Sequence, residues 1–199
     1  MDATLPFLIL FCFVSSITPG PNNIMLLASG ANFGLRRTLP HMLGSTLGHS
    51  AQVVLVGLGR LSLFDRVDWL RTGLLIVCTI YLAYLAGKVA TAAAPEDAPA
   101  HARTISILQA ALFQWVNPKA VYMSIYDQTH FAPDGPLWLS AGVVALVFGL
   151  CNFPSVAVWA WGGVRIRRIL STQARLRIFN ITMAVLLLAS LYPIFQAEF

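Results

Sequence analysis

Two short stretches hold the residue types that can do chemistry. One is Thr18-Pro19-Gly20-Pro21-Asn22-Asn23, the other Gln114-Trp115-Val116-Asn117-Pro118-Lys119-Ala120. Each proline removes an amide donor and clashes with the preceding turn, so each stretch breaks a helix. Asn followed by Pro also starts one well, with Asn at the N-cap and Pro at the first helical position. A half-helix starting at Gly20-Pro21 leaves free amides at Asn22, Asn23 and Ile24. One starting at Asn117-Pro118 leaves them at Lys119 and Ala120. A helix N-terminus favours an anion, and Lys119 adds a full positive charge. The side chains of Asn22, Asn23, Gln114 and Asn117 both donate and accept, so they suit an amino group, a polar side chain or each other. The expected chemistry is recognition of a small carboxylate-bearing molecule. Pro21, Asn22, Asn23, Gln114, Asn117 and Lys119 are its binding residues, and Pro19, Gly20 and Pro118 make the breaks.

Two further residues can carry a proton. His49 has an imidazole whose ordinary pKa lies near neutrality. Asp127 follows Lys119 by eight positions, near the expected outer end of its span. Each also has a plain reading: His49 as a hydrogen-bonded packing residue, Asp127 as an interfacial acid in water. Catalytic patterns are missing. The sequence has no H-E-x-x-H, no G-x-S-x-G and no intramembrane pair of acids. Cys12, Cys78 and Cys151 lie in separate apolar runs without metal-binding spacing. No metal and no cofactor are expected. A membrane-embedded enzyme and a non-transporting scaffold are the alternatives to a binding or transport role.

The elements that must position these residues are membrane helices. The chain of 199 residues is 57% hydrophobic and only 11% charged, against about 25% charged in soluble domains. Its apolar runs are continuous rather than alternating, which argues against a β-barrel. The run from Ala3 to Leu35 carries no charge and exceeds the about 20 residues needed to cross the hydrocarbon. It is too long for a signal peptide and lacks a basic leader. Six spans are expected: Leu5 to Phe33 (broken at Thr18–Asn23), Leu39 to Gly59, Leu70 to Ala90, Thr104 to Tyr126, Leu137 to Val164 and Leu176 to Phe195. The whole chain, 1–199, reads as one membrane domain. A first half, 1–93, and a second half, 104–199, flank a polar linker at 94–103.

The net charge of +5 comes from basic residues at helix ends, where topology signals lie, and not from a nucleic-acid module. Arg36, Arg37, Lys88, Arg103, Arg165, Arg167, Arg168, Arg175 and Arg177 fall on one side. Only Arg60, Arg66 and Arg71 fall on the other, near Asp65 and Asp68. The positive-inside rule puts the larger group and the linker in the cytoplasm and both termini outside.

The two breaks fall in the first helix of each half, with Asn22 and Asn117 95 positions apart. Three spans per half force the halves into opposite orientations. That is the inverted repeat of many secondary transporters, whose sites use broken helices near the midplane. The expected fold is therefore all-α integral membrane, with six transmembrane helices in two inverted three-helix repeats and broken first and fourth helices. Gly44 and Gly48 form a G-x-x-x-G pair that permits close helix approach, within the protomer or at a homodimer contact.

At these residues the sequence resembles the LysE/RhtB-type amino-acid exporters of bacterial inner membranes. The resemblance rests on Thr18-Pro19-Gly20-Pro21-Asn22, Ala28-Ser29-Gly30-Ala31-Asn32-Phe33-Gly34, Arg36-Arg37, Gly44, Leu47-Gly48, Tyr81-Leu82-Ala83-Tyr84-Leu85 and Asn117-Pro118-Lys119-Ala120. Through Asn152–Ser155 and Arg177-Ile178-Phe179-Asn180 it is most similar to the branch exporting cysteine and O-acetylserine. Membership implies efflux of small amino acids or derivatives, driven by the proton gradient, with protons and the lipid bilayer as the other partners. The sequence departs from many relatives at His49, where they carry an acid, at Cys78-Thr79-Ile80, and at the polar run Asp127–His130.

Overall fold

A computed structural model describes residues 4–59, 68–92, 104–170 and 172–189. The expected linker at 94–103, the loop residues Arg60, Asp65 and Arg66, and both chain ends lie outside the described residues, as do the side chains of Asp68 and Arg71. The described residues form eight α-helices and no strand: α1 Thr4–Ile17, α2 Pro21–Phe33, α3 Leu35–Gly57, α4 Asp68–Ala90, α5 Ile107–Val116, α6 Pro118–Phe131, α7 Leu137–Arg167 and α8 Gln173–Ala189.

Each of the two expected breaks separates a pair of helices. α1 and α2 are bent by 56° at Thr18–Gly20. Gly20 is the extended N-cap of α2, with Pro21 at the first helical position. α5 starts with a capping box between Ser106 and Gln109. It ends at Asn117, whose side chain accepts from the Lys119 amide at 3.2 Å and so caps α6. At this second break the cap and the Pro118 start fall where the Asn-Pro pair puts them.

Only α7, among the described residues, is by itself long and apolar enough to cross a membrane; α1 and α2 pass together as a bent pair. Two of the other expected spans fall short for physical reasons. The second break leaves α5 and α6 with 10 and 14 residues. α3 has 23 residues but carries Thr38, His41, Ser45, Thr46, His49 and Gln52, all buried. These polar groups face neighbouring helices while Phe7, Leu47, Leu146, Leu150 and Val158 point outward. Polar inside and apolar outside is the arrangement a lipid surround requires.

α3 and α7 pack against each other at the centre. Around them the packing is reciprocal. α1 and α2 lie on α7, α5 and α6 lie on α3, and α4 pairs with α8. The crossings are close because glycines line them. A Cβ on Gly44 would come within 2.3 Å of the Ile107 carbonyl, and one on Gly48 within 2.4 Å of the Ala111 Cα. The G-x-x-x-G pair thus meets α5 of its own chain. Gly30 and Gly163 do the same for α2 and α7, each with a neighbouring carbonyl oxygen 2.0 Å from an added Cβ. Small residues at helix contacts are expected where lipid removes the hydrophobic drive for helix association.

Candidate functional site

The two breaks face one cleft. It holds about 330 Å³ of space, open solvent included, and is lined by Ser15, Ser16, Gly20, Pro21, Asn22 and Asn23 from the first break. Gln114, Asn117, Lys119, Ala120 and Met123 line it from the second, with His49 of α3 and Asn152 of α7. The structure therefore brings together Pro21, Asn22, Asn23, Gln114, Asn117, Lys119, Gly20 and His49. Pro19 contributes a carbonyl at the edge, and Pro118 begins α6 behind Asn117.

Hydrogen bonds fix most of these side chains. Asn23 Nδ2 donates to the Ser16 and Thr18 carbonyls, both at 2.8 Å, and so ties the end of α1 to the start of α2. The first intrahelical bond of α2 runs from the Ile24 amide to the Gly20 carbonyl at 3.0 Å. Ile24 is thus satisfied, which corrects the expectation of a free amide there. Asn22 and Asn23 keep amides that have no intrahelical acceptor, as the first turn of a helix must. At the second break the Lys119 amide, also expected to be free, is taken by Asn117 Oδ1.

Gln114 joins the two breaks. Its Nε2 donates to the Ala110 carbonyl at 2.9 Å and reaches Asn22 Oδ1 at 3.4 Å. Gln52 of α3 holds both halves of the second break. Its Nε2 donates to the Gln114 carbonyl at 3.1 Å and its Oε1 accepts from Ser124 Oγ at 3.3 Å. His49 Nε2 donates to the Ala120 carbonyl at 3.1 Å, and its ring lies 4.1 Å from that of Phe148. A carbonyl only accepts, so Nε2 carries a proton.

Two residues differ from what their spacing implies. Lys119 Nζ faces the first break and donates to Thr18 O and Thr18 Oγ1, both at 2.8 Å, and to Pro19 O at 3.4 Å. Its charge therefore sits on the carbonyl end of α1 as well as near the amide end of α2. Asp127 is not an interfacial acid in water. It is fully buried, outside the cleft lining. Its Oδ1 accepts from Cys12 Sγ at 3.6 Å, and its Oδ2 has no hydrogen-bond partner among the described residues. α6 turns Asp127 inward, onto the face that also carries the buried residues Ala120, Met123 and Ser124.

Such an arrangement can hold a small polar molecule by backbone amides at one helix start, backbone carbonyls at a helix end, and neutral amide side chains between them. No group of three or more His, Cys, Asp or Glu able to hold a metal occurs among the described residues. The sequence matches the LysE type translocator family over residues 13–190. The chain belongs to that family. It is a membrane transport protein, and the cleft lies inside a translocator. Cysteine/O-acetylserine efflux proteins of Escherichia coli (strain K12), Shigella sonnei (strain Ss046) and Shigella flexneri are each 29% identical over 188 residues, covering 93% of this chain and 94% of theirs. No solved structure matches it.

In this translocator the spacing of prolines and amides pointed to most of the cleft but missed Ser15, Ser16, Met123 and Asn152 of its lining, and Gln52, which holds the second break. Asn152 Nδ2 donates to Thr46 Oγ1 at 2.9 Å across α3 and α7. A signal for Gln52 existed. Thr38, His41, Ser45, His49 and Gln52 recur at steps of three and four, the period of one helix face. A polar stripe at that period inside an apolar span marks an inward face.

Proposed function

We propose that the protein exports a small amino acid or amino-acid derivative, of the cysteine or O-acetylserine kind, across the bacterial inner membrane. The observation that carries this reading is the meeting of both helix breaks in one polar cleft. The cleft belongs to a chain whose family is that of translocators. The relatives' names supply the substrate class.

The whole chain works as one transport unit. Its two halves, joined by the linker at 94–103, form inverted three-helix repeats with both termini periplasmic. The reciprocal packing of each broken pair on the central helix of the other half supports this reading. Rocking one half against the other then exposes the cleft to each side in turn, as in other repeat-built transporters. Pro21, Asn22, Asn23, Gln114, Asn117 and Lys119 form the site. Export is driven by proton entry, with His49 and Asp127 as the groups that can titrate.

The test is transport itself. Purified protein in sealed proteoliposomes is expected to exchange labelled cysteine or O-acetylserine, and a pH gradient is expected to drive net movement. Vesicles that exchange no amino acid across a broad panel would sink the reading.

A further inference from the structure

We propose that the Lys119 side chain is a built-in occupant of an ammonium subsite, which a substrate's amino group must take over in order to bind. The inference rests on the reading of the cleft as an amino-acid site and names how that site divides.

The geometry is that of a filled cation site. An ammonium has three donors, and Lys119 Nζ meets three acceptors: Thr18 O and Thr18 Oγ1 at 2.8 Å and Pro19 O at 3.4 Å. These carbonyls follow the end of α1, where the helix dipole favours a cation. Asn23 Nδ2 donates to the same Thr18 oxygen and keeps it in place. Gly20 makes room for the lysine, since a Cβ there would lie 2.9 Å from Lys119 Cδ and 3.3 Å from Nζ. Thr18 and Pro19 are exposed and Lys119 is half-buried, so a competing cation can reach the acceptors.

Within a few residues the same break also presents the α2 amides of Asn22 and Asn23, which favour an anion. A carbonyl end beside an amide end matches a zwitterion whose ammonium and carboxylate share one carbon. A carboxylate placed on Lys119 Nζ would instead press its charge against the Thr18 and Pro19 carbonyls. Displacement has a structural consequence as well. It unties Lys119 from the α1–α2 joint, so loading the site removes one tie between the breaks and leaves that from Gln114 to Asn22. Bare carboxylates cannot do this, because they bring no cation to replace the lysine.

Three purified proteins test the assignment in detergent: wild type, Lys119→Met and Gly20→Ala, each titrated with ethylammonium and with acetate by calorimetry. Lys119→Met empties the subsite. If the lysine fills it about nine-tenths of the time, ethylammonium affinity rises roughly tenfold in that variant, because affinity scales with the fraction of vacant sites. Gly20→Ala crowds the lysine and is expected to move the same way by a smaller factor. The backbone at Gly20 is extended (φ −172°) and accepts alanine, so this variant decides the matter if Lys119→Met fails to fold. No gain for ethylammonium overturns the proposal. So does a loss of acetate binding in Lys119→Met without that gain, since it makes the lysine an anion anchor. Wild-type exchange of labelled amino acids is scored separately. Its absence beside a gain for ethylammonium would remove the amino-acid reading and leave the subsite standing.

Discussion

Asp127 is the one acid buried among the described residues, with no exposed surface. Among the described residues its hydrogen-bond partner is the weak thiol donor of Cys12, and one carboxyl oxygen meets none. A buried charge without donors is costly, so a proton taken up and released here would change the local energy strongly. His49 is differently placed. Its Nε2 is engaged by the Ala120 carbonyl one turn into α6, which suits a residue that positions the second break. We therefore expect Asp127→Asn to retain substrate counterflow while losing accumulation driven by a pH gradient. His49→Gln, which keeps a donor for Ala120, should retain both. Loss of gradient-driven transport in His49→Gln alone would move the proton to the histidine. The acid's depth was not legible in the sequence. Asp127 follows Lys119 by eight positions, which fixes its height along α6 but not what packs around it. Cys12, which meets it, lies 115 positions away.

At the scale of elements, the breaks were the legible part. Pro, Gly and Asn act on their own backbone, so their effect is local and can be read from order alone. Asn117 caps α6 and Pro118 and Pro21 begin helices as their chemistry dictates. Contacts between elements depend on surfaces that sequence spacing shows only as small residues. Gly30 and Gly163 sit where α2 and α7 nearly touch. A valine at Gly30 would drive its Cβ into the Ala160 carbonyl, an overlap that only separation of the helices can relieve. Gly30→Val should destabilise the protein by about 3 kcal/mol or more, beyond the usual range for overpacking. Gly142 has nothing within 4 Å of an added Cβ. Gly142→Ala should be neutral or stabilising by roughly 0.5 kcal/mol, the gain in helix entropy. Thermal unfolding of both variants in detergent checks the contrast, and equal effects would contradict the crossing as described.

At the scale of the whole molecule, α1 and α2 rest on α7 while α5 and α6 rest on α3, so neither break completes the cleft alone. The sequence carried the two interruptions, but not the reach of side chains between them. Lys119 touches Thr18 across 101 positions, and Gln114 reaches Asn22 across 92. No pattern within either stretch specifies those partners, because they come from how α6 and α1 are set side by side by α3 and α7. The central claim is that the two breaks make one site. The measurement that bears on it most directly is counterflow of labelled substrate in proteoliposomes by wild type, Pro21→Ala, Asn117→Ala and the double variant. Each single variant is expected to lower the rate by about tenfold or more. The double variant should be little worse than the slower single one, since residues acting through one site are not additive. Single variants that exchange at the wild-type rate, or losses that multiply as they would for independent sites, would contradict a shared site.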